Sequence, residues 1–150
     1  MAEVRVQAEP FDIAEETERL LGARANIGGI GSFLGVVRSD PDRPLAALCL
    51  EHYPGMTERA MQRIAEQAEQ RWNLLGCRVV HRHGRLLPGE PIVLVLAAAA
   101  HRQAAMEATA FLIDWLKTKA PFWKQEEFAD GERAWVAARD TDEAAAQRWG

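Results

Sequence analysis

The sequence predicts an α+β fold with a mainly antiparallel sheet, flanking helices and a small lobe that contains a β-hairpin. Strand-like segments outnumber helix-like segments, and most connections between them are short. The dipeptide Asp130-Gly131, between two strand-like segments, is a strong hairpin signal. No repeat, low-complexity tract or long linker divides the chain, so we expect residues 1–150 to form a single domain.

The first part of the chain combines strands with one short helix. Apolar and polar residues alternate over residues 4–8, which predicts a strand. Asp12, followed by Glu15, is typical of a helix N-cap, and Gly22 is a suitable end for that helix. Residues 27–37 are apolar and rich in glycine, which indicates a buried strand with close backbone contacts.

The next segments are a loop, a strand and a helix. Residues 38–44 are polar and contain two prolines, which predicts a mobile loop before a strand over residues 45–53. After the turn at Pro54-Gly55, Thr57 is the predicted N-cap of a helix whose apolar residues recur at helical spacing as far as Trp72.

A long helix follows two further strands. Residues 78–83 and 91–100 are predicted strands that are joined around Pro88-Gly89. From residue 102 to about residue 119 the apolar residues lie on one side of a helix, and Pro121 stands just beyond its end.

The C-terminal part contains the hairpin. Residues 122–129 and 132–138 are its two predicted strands. Asp142 is the predicted cap of a short last helix.

Composition and charge exclude several classes of protein. The chain has 18 basic and 22 acidic residues and a net charge of −4, which argues against a general nucleic-acid binder. An anion site therefore requires a local cluster of basic residues. The N-terminus has no apolar signal core, and the longest apolar run, residues 91–100, is too short to span a bilayer. We expect a cytoplasmic protein with no nucleic-acid or membrane partner.

The two cysteines do not resemble catalytic or metal-binding groups. Cys49 and Cys77 lie in apolar, strand-like surroundings without metal-site spacing. They are predicted to be small buried side chains in a reducing compartment. If the protein handles sulfur, we expect the sulfur to arrive on another molecule.

The familiar catalytic motifs are mostly absent. The chain has no P-loop, no dinucleotide-binding glycine motif, no Cys-x-x-Cys and no nucleophile elbow. The glycine-rich residues 28–31 lie inside a strand pattern, which favours a packing role over a phosphate loop. His81 and His83 share one strand face, but two histidines without a further ligand favour a hydrogen-bonded pair over a metal site. We therefore predict no metal.

Two clusters of basic residues are candidates for function. His101-Arg102 lies where a strand runs into a helix N-terminus, a place that suits an anion, although a solvated polar pair explains it equally well. Lys117 and Lys124 belong to a basic segment with a proline and two aromatic residues. Lysines at a helix end are commonly partners of the helix dipole, whereas burial beside aromatic rings would suit a base or nucleophile. The residues alone leave both alternatives open.

Three segments of this sequence resemble the signature blocks of a known family. They are Leu50–Thr57, Ala100–Arg102 and Leu116–Lys124, in the family's order and spacing. On these blocks, the chain resembles the molybdopterin synthase catalytic (large) subunit family. The resemblance extends from about residue 3 to residue 149 and includes the strand around Trp135-Val136.

The resemblance implies a fold, an activity and partners. The fold is of the α/β-hammerhead type, in a homodimer that forms a heterotetramer with two carriers. The partner is a small ubiquitin-like sulfur carrier that ends in a Gly-Gly thiocarboxylate. The activity is that of a sulfurtransferase that acts on cyclic pyranopterin monophosphate and forms the dithiolene of molybdopterin, with no cofactor.

The resemblance also implies the residues of the site. Lys117 resembles the family's essential lysine and Lys124 its second important lysine. Arg38 matches the arginine that opens the mobile loop. The implied substrate-binding residues are Val36, Val37, Arg38, His101, Arg102, Lys117, Lys124, Gln125 and Glu126. Residues 39–44 are the least similar to the family, and Val36 stands where relatives often have a lysine.

The implied mechanism depends on position and charge. A thiocarboxylate is already a good nucleophile, so the enzyme must mainly hold the two reactants together. We expect Lys117 to give acid–base or covalent assistance, and Lys124 and Arg38 to provide charge and orientation. The alternatives are a non-catalytic binder of a phosphorylated metabolite and an interaction module that holds a carboxylate tail.

The predicted helix creates a geometric problem for this site. Arg102 and Lys117 are about 22 Å apart at a rise of about 1.5 Å per residue, which is too far for one small pterin to span. We therefore predict a composite site, in which Lys117, Lys124 and the carrier tail belong to one subunit, and His101 and Arg102 to its mate. Arg38 fits either subunit.

Overall fold

The structure, a computed structural model, describes residues 2–136 and 140–150, which contain eight strands and four helices. The strands are β1 (Ala2–Gln7), β2 (Gly29–Val36), β3 (Leu45–His52), β4 (Gly76–Arg82), β5 (Gly84–Leu86), β6 (Pro91–Ala99), β7 (Phe122–Phe128) and β8 (Arg133–Val136). The helices are α1 (Ile13–Leu21), α2 (Met56–Trp72), α3 (Arg102–Thr118) and α4 (Asp140–Gln147).

The strands form two four-stranded sheets. The first has the order β1-β4-β6-β2, and the second has the order β5-β3-β7-β8. Only the β1–β4 pair is parallel among the described strands, and every other pair is antiparallel. The predicted α+β fold with mainly antiparallel pairing and flanking helices is confirmed. The β7–β8 hairpin belongs to the second sheet.

The first sheet is covered on both faces. On β6, Val93 and Val95 belong to the apolar cluster that includes residues of α2 and α3. The intervening Leu94 and Leu96 pack in a separate cluster with Leu20 of α1. Because side chains alternate along a strand, burial of both faces explains the continuous apolar run in this segment.

Two glycines allow close backbone approach, Gly31 between β2 and α3 and Gly28 beside the residue that follows β6. A β-carbon at Gly31 would lie 2.3 Å from the carbonyl oxygen of Ala105 and 2.3 Å from the hydroxyl oxygen of Thr109. A β-carbon at Gly28 would lie 1.9 Å from the carbonyl oxygen of Ala100. The predicted packing role is therefore confirmed at Gly28 and Gly31, whereas a β-carbon at Gly29 would meet only the Cα of Arg102, at 3.8 Å.

Several element boundaries differ from the predictions. Asp12 caps α1 as expected, through a 3.1 Å hydrogen bond that its carboxylate accepts from the Glu15 N–H. Thr57 is not an N-cap, because α2 begins one residue earlier, after Gly55. The Thr57 hydroxyl instead accepts from the Tyr53 N–H and donates to the carbonyl of Pro121.

Two further predictions missed local detail. The segment that follows β4 contains the short strand β5, which pairs with β3, and is not only a connection. The last helix begins at Asp140, so Asp142 lies inside its first turn and does not cap it. The end of the second predicted hairpin strand, at residues 137 and 138, lies outside the described residues. No described helix has the length and apolar character needed to cross a membrane.

Candidate active site

An open cavity of about 440 Å³ is lined by residues of both sheets. Val36 of β2, Lys117 of α3 and Lys124 of β7 lie on its wall. The loop after β2 contributes further side chains, and Leu45 and Leu48 of β3 form part of the apolar surface. The cavity therefore forms only when segments far apart in the sequence are packed together.

The cavity has an excess of positive charge. Its charged lining residues are the cations Arg38, Arg43, Lys117 and Lys124 and the acids Asp40 and Glu126. This local excess occurs in a chain with a net charge of −4. A cavity that combines several cations with apolar walls suits an anion that carries an apolar body.

Lys124 is the lysine that the protein perturbs most clearly. Its side chain is half-buried on β7, on the same face as Glu126 and Phe128. Burial, followed by the charge of Lys117, lowers the pKa of Lys124 to about 8, although Asp142 opposes this shift. At pH 7, roughly one such amine in ten is therefore unprotonated.

Lys117 lies near the end of α3, and its exposed side chain faces the same cavity. The three lysines of the chain all lie between residues 117 and 124. Lys119 does not line this cavity and instead lines a separate one with Arg71 and Trp149. Lys119 is therefore a natural control for charge changes at the other two lysines.

A narrow cavity of about 40 Å³ is lined by the same pair of lysines. Val36, Lys117 and Lys124 line both this cavity and the larger one. His81, from the end of β4, also lines the narrow cavity. Burial lowers the pKa of His81 to about 3, and the charges of Lys124 and Lys117 act in the same direction. The imidazole is therefore neutral near pH 7.

The structure brings most of the predicted site residues together. Val36, Val37, Arg38, Lys117, Lys124 and Glu126 all line the larger cavity. Gln125 does not, since adjacent residues of a strand point to opposite faces and its neighbours Lys124 and Glu126 face the cavity. A direct role for Gln125 in substrate binding stays a prediction.

His101 and Arg102 lie at the opposite end of α3 from Lys117. Both are exposed, and His101 is the residue that precedes the first turn of α3. The helix is continuous over its 17 residues, which separates Arg102 from Lys117 by about 22 Å along the axis. Gly29, at the start of β2, lies beside Arg102, whereas Val36, at the end of β2, shares the cavity with Lys117.

Sequence reasoning missed three polar residues of these cavities. Asp40 and Arg43 lie in the predicted loop, and the Arg43 guanidinium is 3.6 Å from the ring centroid of Phe128. The sequence favoured a hydrogen-bonded His81 over a metal ligand, and its Nδ1 does lie 2.8 Å from the carbonyl oxygen of Arg82, but its place in the narrow cavity was not predicted. The His81 ring stacks on Phe122, whereas His83 lies beyond the end of β4 with its ring centroid 4.5 Å from that of His52.

Cysteine and metal chemistry find no support among the described residues. Burial raises the pKa of Cys77 to about 12, so its thiol stays protonated at neutral pH. Cys49 is half-buried on β3 and lines none of the cavities described above. Residues 2–136 and 140–150 contain no group of three or more side chains suited to a metal ion.

The fold and the cavity together define the general class of this protein. It is an α+β protein with an open cationic cavity in which one of two neighbouring lysines has a lowered pKa. Such a cavity is suited to chemistry on a small anionic molecule. The sequence matches the model of the MoaE protein family over residues 6–119. The chain belongs to this family.

Individual relatives agree with the family assignment. The molybdopterin synthase catalytic subunit of Mesorhizobium japonicum is 54% identical over 147 residues, which cover 97% of this chain and 92% of that protein. The molybdopterin biosynthesis MoaE protein of Burkholderia ambifaria has a similar structure, with a TM-score of 0.84, 47% identity and coverage of 100% and 99% of the two chains.

A more distant structure has the same fold. Molybdopterin synthase from Staphylococcus aureus aligns with a TM-score of 0.79 and 26% identity, over 88% of this chain and 95% of that one. These similarities confirm the predicted family and the predicted activity class. The chain is an enzyme subunit, a sulfurtransferase of molybdenum cofactor biosynthesis.

Proposed function

We propose that this chain transfers sulfur from the C-terminal thiocarboxylate of a small ubiquitin-like carrier to cyclic pyranopterin monophosphate. Two such transfers form the dithiolene of molybdopterin and consume two carriers. The observation that carries this proposal is the open cavity in which Lys117 and Lys124 meet beside Arg38. That cavity supplies positive charge next to apolar walls, which suits a phosphorylated pterin and an anionic tail.

The reaction needs no nucleophile from the protein. The thiocarboxylate brings its own sulfur nucleophile, so the protein's contribution is to align that sulfur with the pterin. The raised pKa of Cys77 is consistent with a sulfur nucleophile that comes from the carrier, because the Cys77 thiol is a poor nucleophile at neutral pH.

The two lysines have different roles in this proposal. Lys117 is exposed at the cavity wall and gives acid–base or covalent assistance at the reacting carbon. Lys124 is half-buried and, with Arg38, provides the positive charge that stabilises the phosphate and any oxyanion. Val36, Val37 and Glu126 line the same cavity.

The active unit in this proposal is a cytoplasmic homodimer with one carrier bound to each subunit. The length of α3 supports a composite site, since its ends are about 22 Å apart and a small pterin cannot reach both within one chain. His101 and Arg102 of one subunit then bind the phosphate of a substrate that reacts at Lys117 of the other.

A reconstituted reaction tests the proposed function. Thiocarboxylated carrier and cyclic pyranopterin monophosphate are mixed with the purified chain, and the dithiolene product is measured. Lys117→Ala is expected to fold and bind the carrier but to lose nearly all turnover. Lys117→Arg is expected to fail as well, because a guanidinium is a poor proton donor and nucleophile near neutral pH.

Lys119→Ala is the matched control, since it removes a lysine two positions away that lines another cavity. It is expected to retain turnover. If Lys117→Ala and Lys124→Ala both keep full turnover, the catalytic role is wrong, and a non-catalytic binder becomes the better description. If only a Gly-Gly tail binds and the pterin does not, the chain is an interaction module.

A further inference from the structure

His81 is a buried titratable side chain to which the proposed reaction gives no role. It lies on β4, a strand whose seven residues are all buried, and its own exposed fraction is 4%. Its ring stacks on Phe122, with 3.9 Å between ring centroids and 20° between ring planes. An apolar side chain would fill this position without the cost of burying an imidazole.

The hydrogen bonding of His81 determines its tautomer. Its Nδ1 lies 2.8 Å from the carbonyl oxygen of Arg82. Because a carbonyl oxygen only accepts, Nδ1 must carry the hydrogen and donate it. The ring is neutral near pH 7, so Nε2 carries a lone pair and acts as an acceptor.

The stacking on Phe122 places the His81 ring close to Lys124. Phe122 and Lys124 are two residues apart on β7 and therefore share a face, at a spacing of about 6.5 Å. Both His81 and Lys124 line the narrow cavity, and Lys117 lines it as well. A cavity of about 40 Å³ has room for an ordered water, and these polar groups are suitable partners for it.

Burial and the cationic or titratable groups that face His81 oppose its protonation, whereas its hydrogen bond to the Arg82 carbonyl favours it. Lys124 on β7, Lys117 on α3 and His52 on β3 all disfavour a positive charge on the ring. His81 is thus a neutral acceptor beside two ammonium groups, which are donors only.

We propose that His81 is a positioning residue of this site, whose unprotonated Nε2 accepts a hydrogen bond, through one water in the narrow cavity, from the ammonium of Lys124. The stacked and hydrogen-bonded ring cannot turn freely, so the acceptor has a fixed place. The bond holds the Lys124 amine at the cavity wall and favours its charged form. The catalytic consequence rests on the proposed function, but the hydrogen bond itself does not.

Two substitutions separate the roles of the two ring nitrogens. The shorter amide in His81→Asn can replace the Nδ1 donor to Arg82 but has no acceptor at the place of Nε2. The longer amide in His81→Gln can place its oxygen there but does not preserve the Nδ1 donor. A purely structural histidine is replaced better by asparagine, whereas a histidine that positions Lys124 is replaced better by glutamine.

Lysine NMR provides a direct measurement. With ¹³C-labelled lysine the chain has three side-chain signals, from Lys117, Lys119 and Lys124, which lysine-to-arginine variants assign. In His81→Asn we expect the measured pKa of Lys124 to fall by about one unit, because its charged form loses an acceptor. In His81→Gln it is expected to return towards the wild-type value. Lys119 is the internal control and should not change.

His83→Asn is the matched control variant, since this histidine lies just beyond β4 and lines neither cavity. It is expected to leave the pKa of Lys124 unchanged. An unchanged Lys124 pKa in a folded His81→Asn variant overturns the proposal, as does a larger change in His81→Gln than in His81→Asn.

A second measurement does not depend on any substitution at His81. The chain has four histidines, so ¹⁵N-histidine NMR can resolve the Nε2 signal of His81. Lys124→Met should shift this signal towards that of an unbonded acceptor nitrogen, and an unchanged signal contradicts the proposal. Both NMR results stand whether or not the wild-type protein makes dithiolene, so failure here is distinguishable from failure of the proposed function. If turnover is present, His81→Asn should reduce it and His81→Gln should restore part of it.

Discussion

Mixing of two inactive variants gives the sharpest test of the composite site. Arg102→Ala alters the start of α3 and Lys117→Ala alters its end, about 22 Å away in the same chain. Each homodimer should be nearly inactive, because both of its pockets lack one residue. In a mixed dimer, one pocket combines Lys117 of the Arg102→Ala chain with Arg102 of the Lys117→Ala chain and is therefore complete. The other pocket lacks both residues.

The size of the recovery follows from the symmetry of the dimer. A purified mixed dimer has one complete pocket of two and should show about half of the wild-type turnover. Random exchange of equal amounts gives mixed dimers in about half of the molecules, so the unfractionated mixture should show about one quarter. The two variants are given different affinity tags, mixed dimers are isolated through both tags, and dithiolene formation is measured with thiocarboxylated carrier.

A second mixture provides the control. Lys117 and Lys124 line the same cavity of one chain, so mixed dimers of Lys117→Ala and Lys124→Ala have no complete pocket and should stay inactive. If mixed dimers of the first pair form but remain as inactive as their parents, the composite-site hypothesis is wrong. The start and the end of α3 then do not act in the same pocket. Recovery in the control pair would equally contradict the reasoning.

Three further predictions concern sulfur, charge and packing. Replacing Cys49 and Cys77 together by serine should retain turnover in the reconstituted reaction, and its loss in a variant shown to be folded would mean that a cysteine carries sulfur. Because the pKa of Lys124 is lowered to about 8, its charged form prevails below that pH, so a pH–rate profile should fall about tenfold per unit above 8. Lys124→Arg should remove that decline, because the charge of arginine does not titrate in this pH range. If the variant shows a decline at the same pH and with the same slope, the decline belongs to another group. Gly31→Ala should lower the free energy of unfolding by about 2 kcal/mol or more and Tm by roughly 4–8 °C, because its β-carbon would lie 2.3 Å from a backbone oxygen of α3. In Gly29→Ala the nearest atom is 3.8 Å away, so thermal unfolding close to that of the wild type is expected, and equal losses in the two variants would refute the packing argument.

The local elements of this fold were predictable because their signals lie within a few residues. Asp12 and Glu15 define the start of α1 through one turn of backbone and side-chain hydrogen bonds. The regular spacing of apolar residues predicted α3 almost to its ends. The Thr57 cap was wrong because α2 begins after Gly55, whose N–H donates to the Glu58 carboxylate, and the Thr57 hydroxyl instead donates to the carbonyl of Pro121, 64 residues away.

The short strand β5 had no local signal of its own. It has three residues, and it becomes a strand only because β3 offers it a pairing edge. Three residues are too few to show the alternation of apolar and polar side chains from which strands are predicted.

The sequence by itself determined the family, the basic segments and the distance between the two ends of α3. These depend on residue identity and on the constant rise of a helix, which are independent of packing. Only the tertiary structure decided which side chains share a cavity. Alternation along β7 predicts two faces, but the pairing of β7 with β3 and the position of α3 decide that Lys124 and Glu126 face the cavity and Gln125 does not. The same packing stacks His81 on Phe122 and places it in the narrow cavity that Lys124 also lines. No local pattern indicates this arrangement, because β4 and β7 are far apart in sequence.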